Sequence, residues 1–150
     1  MGERYFDDFE IGERFASAGV TLSEAQILDF ALTYDPQPIH IDKEAAAKGP
    51  FGGLIASGFQ TLMLAFRLFY QQNIINSASL GGPGMDEIRW LAPVRPGDTI
   101  HVLAEVAEKR PSRSRPDRGT LVMRYEVRNQ RDEPVMTYFI SHILRRRETG

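Results

Sequence analysis

Two side chains that can exchange protons with a substrate, Asp35 and His40, lie in the short segment YDPQPIHID. A carboxylate and an imidazole held together can activate a water molecule and move protons, which is general acid–base catalysis. Pro36 and Pro38 restrict the backbone on both sides of Gln37, so the sequence predicts an extended, rigid connection between the pair. The alternative is a structural segment in which Asp35 caps a turn and His40 packs in the core. The second proline favours catalysis, because a local cap does not need it.

A second candidate site is the segment ASG, where Ser57 and Gly58 precede a long apolar run. If a helix begins there, its first N–H groups lack partners and carry the positive end of the helix dipole. They would stabilise a carbonyl oxygen that gains negative charge, and Gly58 would let it approach closely. Gly53, in the preceding GPFGG, permits a similar approach. The alternative, in which Ser57 is an ordinary helix cap and Gly58 only allows packing, remains open.

Basic residues cluster in EKRPSRSRPDRG, residues 108–119, which includes Arg113 and Arg115. A mobile basic loop can meet phosphates on a ligand, and Arg89 is a further candidate. The alternative is a solvated hairpin tip, which most charge runs between strands are.

A metal site is the rival interpretation of the histidine segment. His40 and Asp42, followed by His101 or His142, match the order of ligands in a facial iron triad. Both distant histidines lie in strand-like runs and have no predicted direction. The apolar helix expected after His40 is foreign to the all-β frameworks that usually carry this triad, so we expect no metal.

Two helices are predicted to position these residues. Thr21 and Glu24 have the spacing of a capping box, and the helix that follows ends before Pro36, which places Asp35 at a helix exit. A second helix is predicted from the apolar run at residues 59–74. Because that run is apolar on most sides, we expect it to be buried on most sides, and it is too short to cross a bilayer.

Four β-rich segments in the back half supply the rest of the fold. They are MDEIRWLAPV, DTIHVLAEVAEKR, GTLVMRYEVRNQ and PVMTYFISHILRRR, divided by turn sequences such as RPGD. They predict an antiparallel meander. The simplest packing is α+β, with a long buried central helix wrapped by a curved antiparallel sheet in a single domain over residues 1–150.

Composition narrows the class of protein. A chain of 150 residues is long enough to bury one core, and the absence of cysteine excludes disulfides and thiolate chemistry. The net charge of −2 argues against a dedicated nucleic-acid binder. The N-terminal segment is charged from Glu3 onward and lacks the pattern of a signal peptide, so we expect a cytoplasmic protein with no membrane partner.

The segment FALTYDPQPIHID resembles the signature loop of the MaoC-like dehydratases and (R)-specific enoyl-CoA hydratases, whose pattern is Asp-x-Asn-Pro-x-His followed by an acidic residue. FGGLIASGFQT and IRWLAPVRPGDTI are similar to the helix start and the first long strand of that family. The resemblance extends from FDDFEIGERF to the last strand. Two positions differ: Gln37 replaces the usual asparagine, and Phe66 stands where many members have a serine that supports the aspartate.

The resemblance implies a hot-dog fold, a homodimer or larger even assembly, and acyl-CoA entering near the subunit boundary. It implies a hydro-lyase of fatty acid metabolism that reversibly hydrates an enoyl-CoA thioester, with coenzyme A as part of the substrate and no other cofactor. Asp35 is the expected base, His40 its partner and the Gly58 N–H the oxyanion hole. Residues expected to contact the substrate are Gln37, Gly53, Ser57, Arg89, Arg113 and Arg115.

Two other functions remain as alternatives. A hot-dog acyl-CoA thioesterase would use the same helix start to polarise the thioester but direct water to its carbonyl carbon. A non-catalytic acyl-CoA-binding module would keep the Asp35 segment as a structural loop. The presence of both Asp35 and His40 favours the hydratase.

Overall fold

The computed structural model describes residues 4–148. Two ends of the predicted domain lie outside the described part: residues 1–3, where the absence of a signal peptide was predicted, and residues 149–150. A short 3-10 helix at Phe6–Asp8 comes first. The elements that follow are β1 (Arg14–Ala16), β2 (Val20–Thr21), α1 (Glu24–Tyr34), α2 (Pro38–Ile41), α3 (Lys43–Lys48), α4 (Gly58–Gln71), β3 (Gly84–Trp90), β4 (Thr99–Pro111), β5 (Arg118–Arg128) and β6 (Pro134–Arg145).

The strands form one antiparallel sheet in the order β1, β4, β5, β6, β3, with β2 also paired to β4. β4, β5 and β6 are the predicted meander, but the prediction is wrong for β3, which pairs with β6 through Trp90 and Met136. The link from β3 to β4, residues 91–98, is no tight hairpin. It is anchored instead beside α4, because the Ala56 N–H donates to the Val94 carbonyl at 2.8 Å.

Helix α4 packs along the concave face of this sheet, in the hot-dog arrangement that the sequence predicted. Leu62, Ala65, Leu68 and Phe69 of α4 share one hydrophobic core with the alternating inward residues of β4, β5 and β6. None of the helices within residues 4–148 is both long and apolar enough to cross a membrane.

One side of α4 is exposed, which corrects the expectation that the helix is buried on most sides. Phe59 is 58% exposed, Met63 50% and Phe66 39%. Their spacing of four and three residues places them on one stripe. The run therefore contains apolar residues on its exposed side as well as on its buried side. Apolar composition alone does not reveal which of these residues are exposed in the single chain.

Helix α1 begins two residues later than the Thr21 and Glu24 spacing predicted. Ser23 is the N-cap, and its capping-box partner is Gln26, whereas the Thr21 hydroxyl pairs with Thr99 at 2.7 Å. Thr21 is in β2, so strand pairing removes it from the helix start. The predicted end is confirmed, since Asp35 is the C-cap.

The connection between Asp35 and His40 is not extended throughout, which corrects a second expectation. Gln37 is extended, but Pro38 opens the short helix α2, and His40 lies on that helix. Proline is favoured at a first helical position because its missing N–H has no helical partner there. The segment is rigid as predicted, but it is a kink followed by a helical turn.

A buried polar cluster lies between α4 and the sheet. Tyr125 Oη is 2.5 Å from His142 Nε2, and both residues are almost fully buried. Burial lowers the pKa of His142 to about 4, so the imidazole is neutral at pH 7. Burial also raises the pKa of Tyr125 and of Tyr138, whose hydroxyl has no hydrogen-bond partner within residues 4–148.

Candidate active site

Asp35 and His40 face each other across the kink between α1 and α2. Asp35 Oδ2 is 3.4 Å from His40 Nε2, and both side chains are largely buried. Asp35 is placed by the end of α1, and His40 by the turn that Pro38 starts. The two proton-exchanging groups predicted from the sequence are therefore brought together.

A backbone carbonyl fixes which ring nitrogen of His40 carries the proton. His40 Nδ1 lies 2.8 Å from the Ile55 carbonyl oxygen. Because a carbonyl oxygen only accepts, Nδ1–H must be the donor. In neutral His40 the Nε2 lone pair therefore points toward Asp35, so both groups present acceptors to a molecule that binds between them.

The Asp35 carboxylate is held by two further side chains. Ser57 Oγ donates to Oδ2 at 2.6 Å, and Gln37 Nε2 donates to Oδ1 at 2.7 Å. The Ser57 hydrogen bond is the largest cause that lowers the pKa of Asp35, and the Gln37 hydrogen bond is the second. Asp35 is thus ionised at neutral pH, the form that a general base requires.

Ser57 is the residue whose part in the site the sequence did not reveal. It is the predicted N-cap of α4, accepting from the Phe59 N–H at 3.3 Å, but it is fully buried and also supports Asp35. The resemblance placed a supporting serine at the position of Phe66, whose ring lies on the exposed stripe. In this chain the N-cap residue of α4, Ser57, supports Asp35 instead.

Gly58 opens α4, and its N–H has no hydrogen-bond partner within residues 4–148. A Cβ on this residue would lie 2.3 Å from Trp90 Nε1. Glycine is therefore needed at this position so that Trp90 can pack against it. The same residue also presents this N–H at the start of α4, beside the cleft. The structure leaves the catalytic role of Gly58 a prediction.

A cleft of about 340 Å³ joins these groups. Its polar lining is Asp35, Gln37, His40 and Thr61, and the remainder is mainly apolar. Buried side chains such as Val94 and Val135 form the floor, whereas exposed ones form the rim. The rim residues are Gln37, Phe51, Phe59, Trp90 and Leu91. A small, mostly apolar cleft with few convergent polar groups is typical of a site for a small organic ligand.

Five predicted substrate contacts do not line the cleft, and one of them, Ser57, supports Asp35 instead of facing a ligand. Gly53 lies next to the Arg95 side chain, and the Arg89 guanidinium donates to the neighbouring Ile88 carbonyl. Arg113 and Arg115 are in the β4–β5 hairpin, at the opposite end of the strands from Val135. Within one chain, these two arginines therefore cannot contact the acyl end of a ligand bound in the cleft.

The facial iron triad is not assembled. His142 is paired with Tyr125 in the core, and His101 Nε2 is 3.9 Å from Asp132 Oδ1. Asp42 caps α3 by accepting from the Ala45 N–H. Within residues 4–148 no three His, Asp or Glu side chains are grouped as metal ligands.

Comparison with known proteins agrees with this architecture. The family model described as MaoC like domain matches residues 8–127. Uncharacterized protein YdeM of Bacillus subtilis is 34% identical over 140 residues, which are 93% of this chain and 98% of the relative. The crystal structure of the MaoC-like dehydratase from Rhodospirillum rubrum superposes with a TM-score of 0.85 at 37% identity, covering 97% and 99% of the two chains.

One relative has a named reaction and is similar over most of the chain. The 3-hydroxybutyryl-CoA dehydratase of Methylorubrum extorquens is 35% identical over 116 residues, 74% of this chain and 69% of that protein. The matched family model includes Asp35, His40, Ser57 and Gly58. On the extent of these matches, the chain belongs to the MaoC-like dehydratase family.

Proposed function

We propose that this protein reversibly hydrates an enoyl-CoA thioester to the 3-hydroxyacyl-CoA. The observation that carries the proposal is the Asp35 and His40 pair, which lines an apolar cleft beside the Gly58 N–H and in which Asp35 is held by Ser57. The named reaction of the Methylorubrum relative supports the same chemistry. The activity needs no cofactor other than the coenzyme A of its substrate.

The geometry suggests how the residues divide the work. A water between Asp35 and His40 would donate one hydrogen to Asp35 Oδ2 and the other to His40 Nε2, leaving its lone pairs for C3 of the substrate. Asp35 takes one proton from the water as the C–O bond forms and returns it to C2, whereas His40 orients the water by accepting its second hydrogen, which stays on the 3-hydroxyl group of the product. The Gly58 N–H stabilises the enolate-like charge on the thioester oxygen.

The cleft favours a neutral acyl group. Asp35 and His40 are its only titratable lining residues within the described part of the chain, and no lysine or arginine side chain faces it. A second carboxylate on the acyl chain would lose its hydration without gaining a cation, which is costly. The Gln60 side-chain amide does not serve such a group either, because its Nε2 donates to the Gln26 carbonyl at 3.0 Å.

The experiment that tests the function is loss of the conjugated-thioester absorbance with a panel of trans-2-enoyl-CoA esters. We expect turnover with uncharged chains and none with a dicarboxylic ester of the same length. Release of free thiol from saturated acyl-CoA would instead identify a thioesterase. Tight binding of acyl-CoA without either reaction would identify a binding module.

A change at Ser57 should alter the pH dependence of this activity. Ser57→Ala removes the largest cause that lowers the pKa of Asp35, so that pKa rises. Because the base must be ionised, the acid limb of kcat/KM should move to higher pH. Gln37→Ala should move it in the same direction by less. An acid limb that stays in place in Ser57→Ala would contradict the role assigned to Ser57.

We also propose that two copies pair through the exposed stripe of α4 and the free edge of β3. The stripe formed by Phe59, Met63 and Phe66 continues onto Trp90, whose ring centroid is 5.7 Å from that of Phe59. Among the described residues, β3 pairs with β6 on one side only, which leaves its other edge open to a second strand. An apolar surface beside an open strand edge suits a self-complementary interface.

A charge on the stripe should break this assembly. Met63→Glu would bury an unpaired carboxylate in the interface, so we expect a smaller species by sedimentation at the concentration where the wild type is dimeric. Ile11→Glu is the matched control, because Ile11 is equally apolar and exposed but precedes β1 at the opposite edge of the sheet. A monomeric wild type would refute the interface.

A further inference from the structure

In an acyl thioester, the carrier is the group attached to the sulfur, and it must extend out of the cleft across the rim. The rim has two sides. Phe59, Trp90 and Leu91 form an apolar side that continues into the exposed stripe of α4. In the proposed dimer that side faces the second copy. Phe51 and Gln37 form the other side, which remains open to solvent and is the route left for a polar carrier.

Arg95 lies against this open side. Its Nη2 donates to the Phe51 carbonyl at 2.7 Å, and its Nη1 is 3.6 Å from the place that a Cβ on Gly53 would occupy. The guanidinium is therefore fixed on the glycine-rich loop that carries Phe51 to the rim. Arg95 is exposed, and its guanidinium has more N–H donors than the one bonded to Phe51, so donors remain for a ligand that passes Phe51.

The charge of Arg95 is not neutralised within residues 4–148, where the side chain forms no ion pair. The carboxylate closest in sequence, Asp98, is buried and committed elsewhere. Its Oδ2 accepts from the Arg95 backbone N–H and its Oδ1 from Gln130 Nε2, each at 2.8 Å. Asp98 reduces the positive potential at the mouth but does not occupy the guanidinium.

The other basic candidates are placed less well. Arg89 is bound to its own strand, whereas Arg113 and Arg115 extend from the far end of the sheet. Arg95 has an exposed guanidinium, a direct bond to a residue of the cleft and no ion-pair partner among residues 4–148. Arginine offers a planar fork of donors that matches phosphate oxygens, with charge-assisted bonds stronger than neutral ones.

We propose that Arg95 binds a phosphate group of the thioester carrier as it leaves the cleft past Phe51. The assignment rests on the proposed function, because it takes the ligand to be an acyl thioester with a phosphorylated carrier. It replaces Arg89, Arg113 and Arg115 as the cation that the sequence offered for this purpose. The diphosphate of coenzyme A and the phosphodiester of a carrier protein share this chemistry.

The test compares Arg95→Ala with the control Arg113→Ala on two substrates that carry the same enoyl group. One is the CoA ester, and the other is the N-acetylcysteamine ester, which lacks phosphate. For Arg95→Ala we expect KM for the CoA ester to rise about tenfold, the loss of one charge-assisted bond, with kcat and the KM of the short ester unchanged. Arg113→Ala should change neither.

The outcomes separate the possible explanations. If Arg95→Ala raises KM for both esters equally, Arg95 only holds the Phe51 loop and the proposal fails. If the wild type turns over neither ester, calorimetric binding of butyryl-CoA still decides: weaker binding in Arg95→Ala supports the phosphate contact although the proposed reaction has failed. A larger effect with an acylated carrier protein than with CoA would identify the carrier as protein-bound.

Discussion

Asp35→Asn is expected to lower kcat for enoyl-CoA hydration by about 10²–10⁴-fold, the usual contribution of a positioned general base. The amide cannot take a proton from the attacking water. Asparagine keeps the size of the side chain, and the 2.7 Å bond from Gln37 Nε2 can still be accepted by the amide oxygen. The measurement is the initial rate of absorbance loss at saturating substrate.

Asp42→Asn is the matched control for this substitution. Asp42 belongs to the same segment but caps α3, accepting from the Ala45 N–H at 3.0 Å. Asparagine is as good a helix cap as aspartate, so both stability and turnover should be retained. Full activity in Asp35→Asn, with a fold unchanged by circular dichroism, would remove Asp35 as the base and leave His40 as the remaining candidate.

The loss should appear in kcat rather than in KM. Asp35 faces the reacting water, whereas the acyl group and its carrier contact the apolar lining and the rim. An interaction made only in the transition state lowers kcat and kcat/KM together. A variant that binds a saturated acyl-CoA as tightly as the wild type but does not turn over the enoyl ester would meet this expectation.

The candidate residues Asp35 and His40 could be selected from the sequence because they lie in one local segment. The prolines predicted a restricted backbone between them, but not the helical turn from Pro38 that brings the two side chains together. The start of α4 at Gly58 was equally local, marked by a small polar residue and a glycine before an apolar run. The long helix against a sheet followed from the contrast between the two halves of the chain.

Contacts between distant segments were not predictable in the same way. The Ser57 hydroxyl meets Asp35 only after α1 and α4 have packed, and a serine at a helix start looks the same whether or not it supports a carboxylate. The place of β3 beside β6 depends on how residues 91–98 cross the molecule. The exposed stripe on α4 looked like core because an apolar surface awaiting a partner has the same composition.

The buried pairing of His142 with Tyr125 was also not predictable from the sequence pattern. His142 was a candidate metal ligand on spacing alone, yet it points inward from β6 and pairs with Tyr125. An alternating strand predicts which face a residue occupies only once its register is known. The burial of an ionisable group in this position has a direct consequence for stability.

The native state is expected to lose about 3 kcal/mol of stability between about pH 6.5 and pH 4 through His142. The folded-state pKa is about 4, below the ordinary value of 6.5, because burial disfavours the charged imidazole. In this window the unfolded chain binds a proton that the folded chain does not. The contribution of His142 is therefore fully present above pH 6.5 and is lost as the pH falls toward 4.

Urea unfolding of wild type and His142→Gln at several pH values, at one protein concentration, measures this loss. Glutamine is neutral at every pH and its amide can still bond the Tyr125 hydroxyl, so the variant should begin less stable but keep a flatter pH dependence. The difference between the two free energies of unfolding should narrow by about 3 kcal/mol toward pH 4. Parallel curves would mean that the pKa of His142 is the same in the folded and unfolded states, so that its burial beside Tyr125 does not keep the ring neutral.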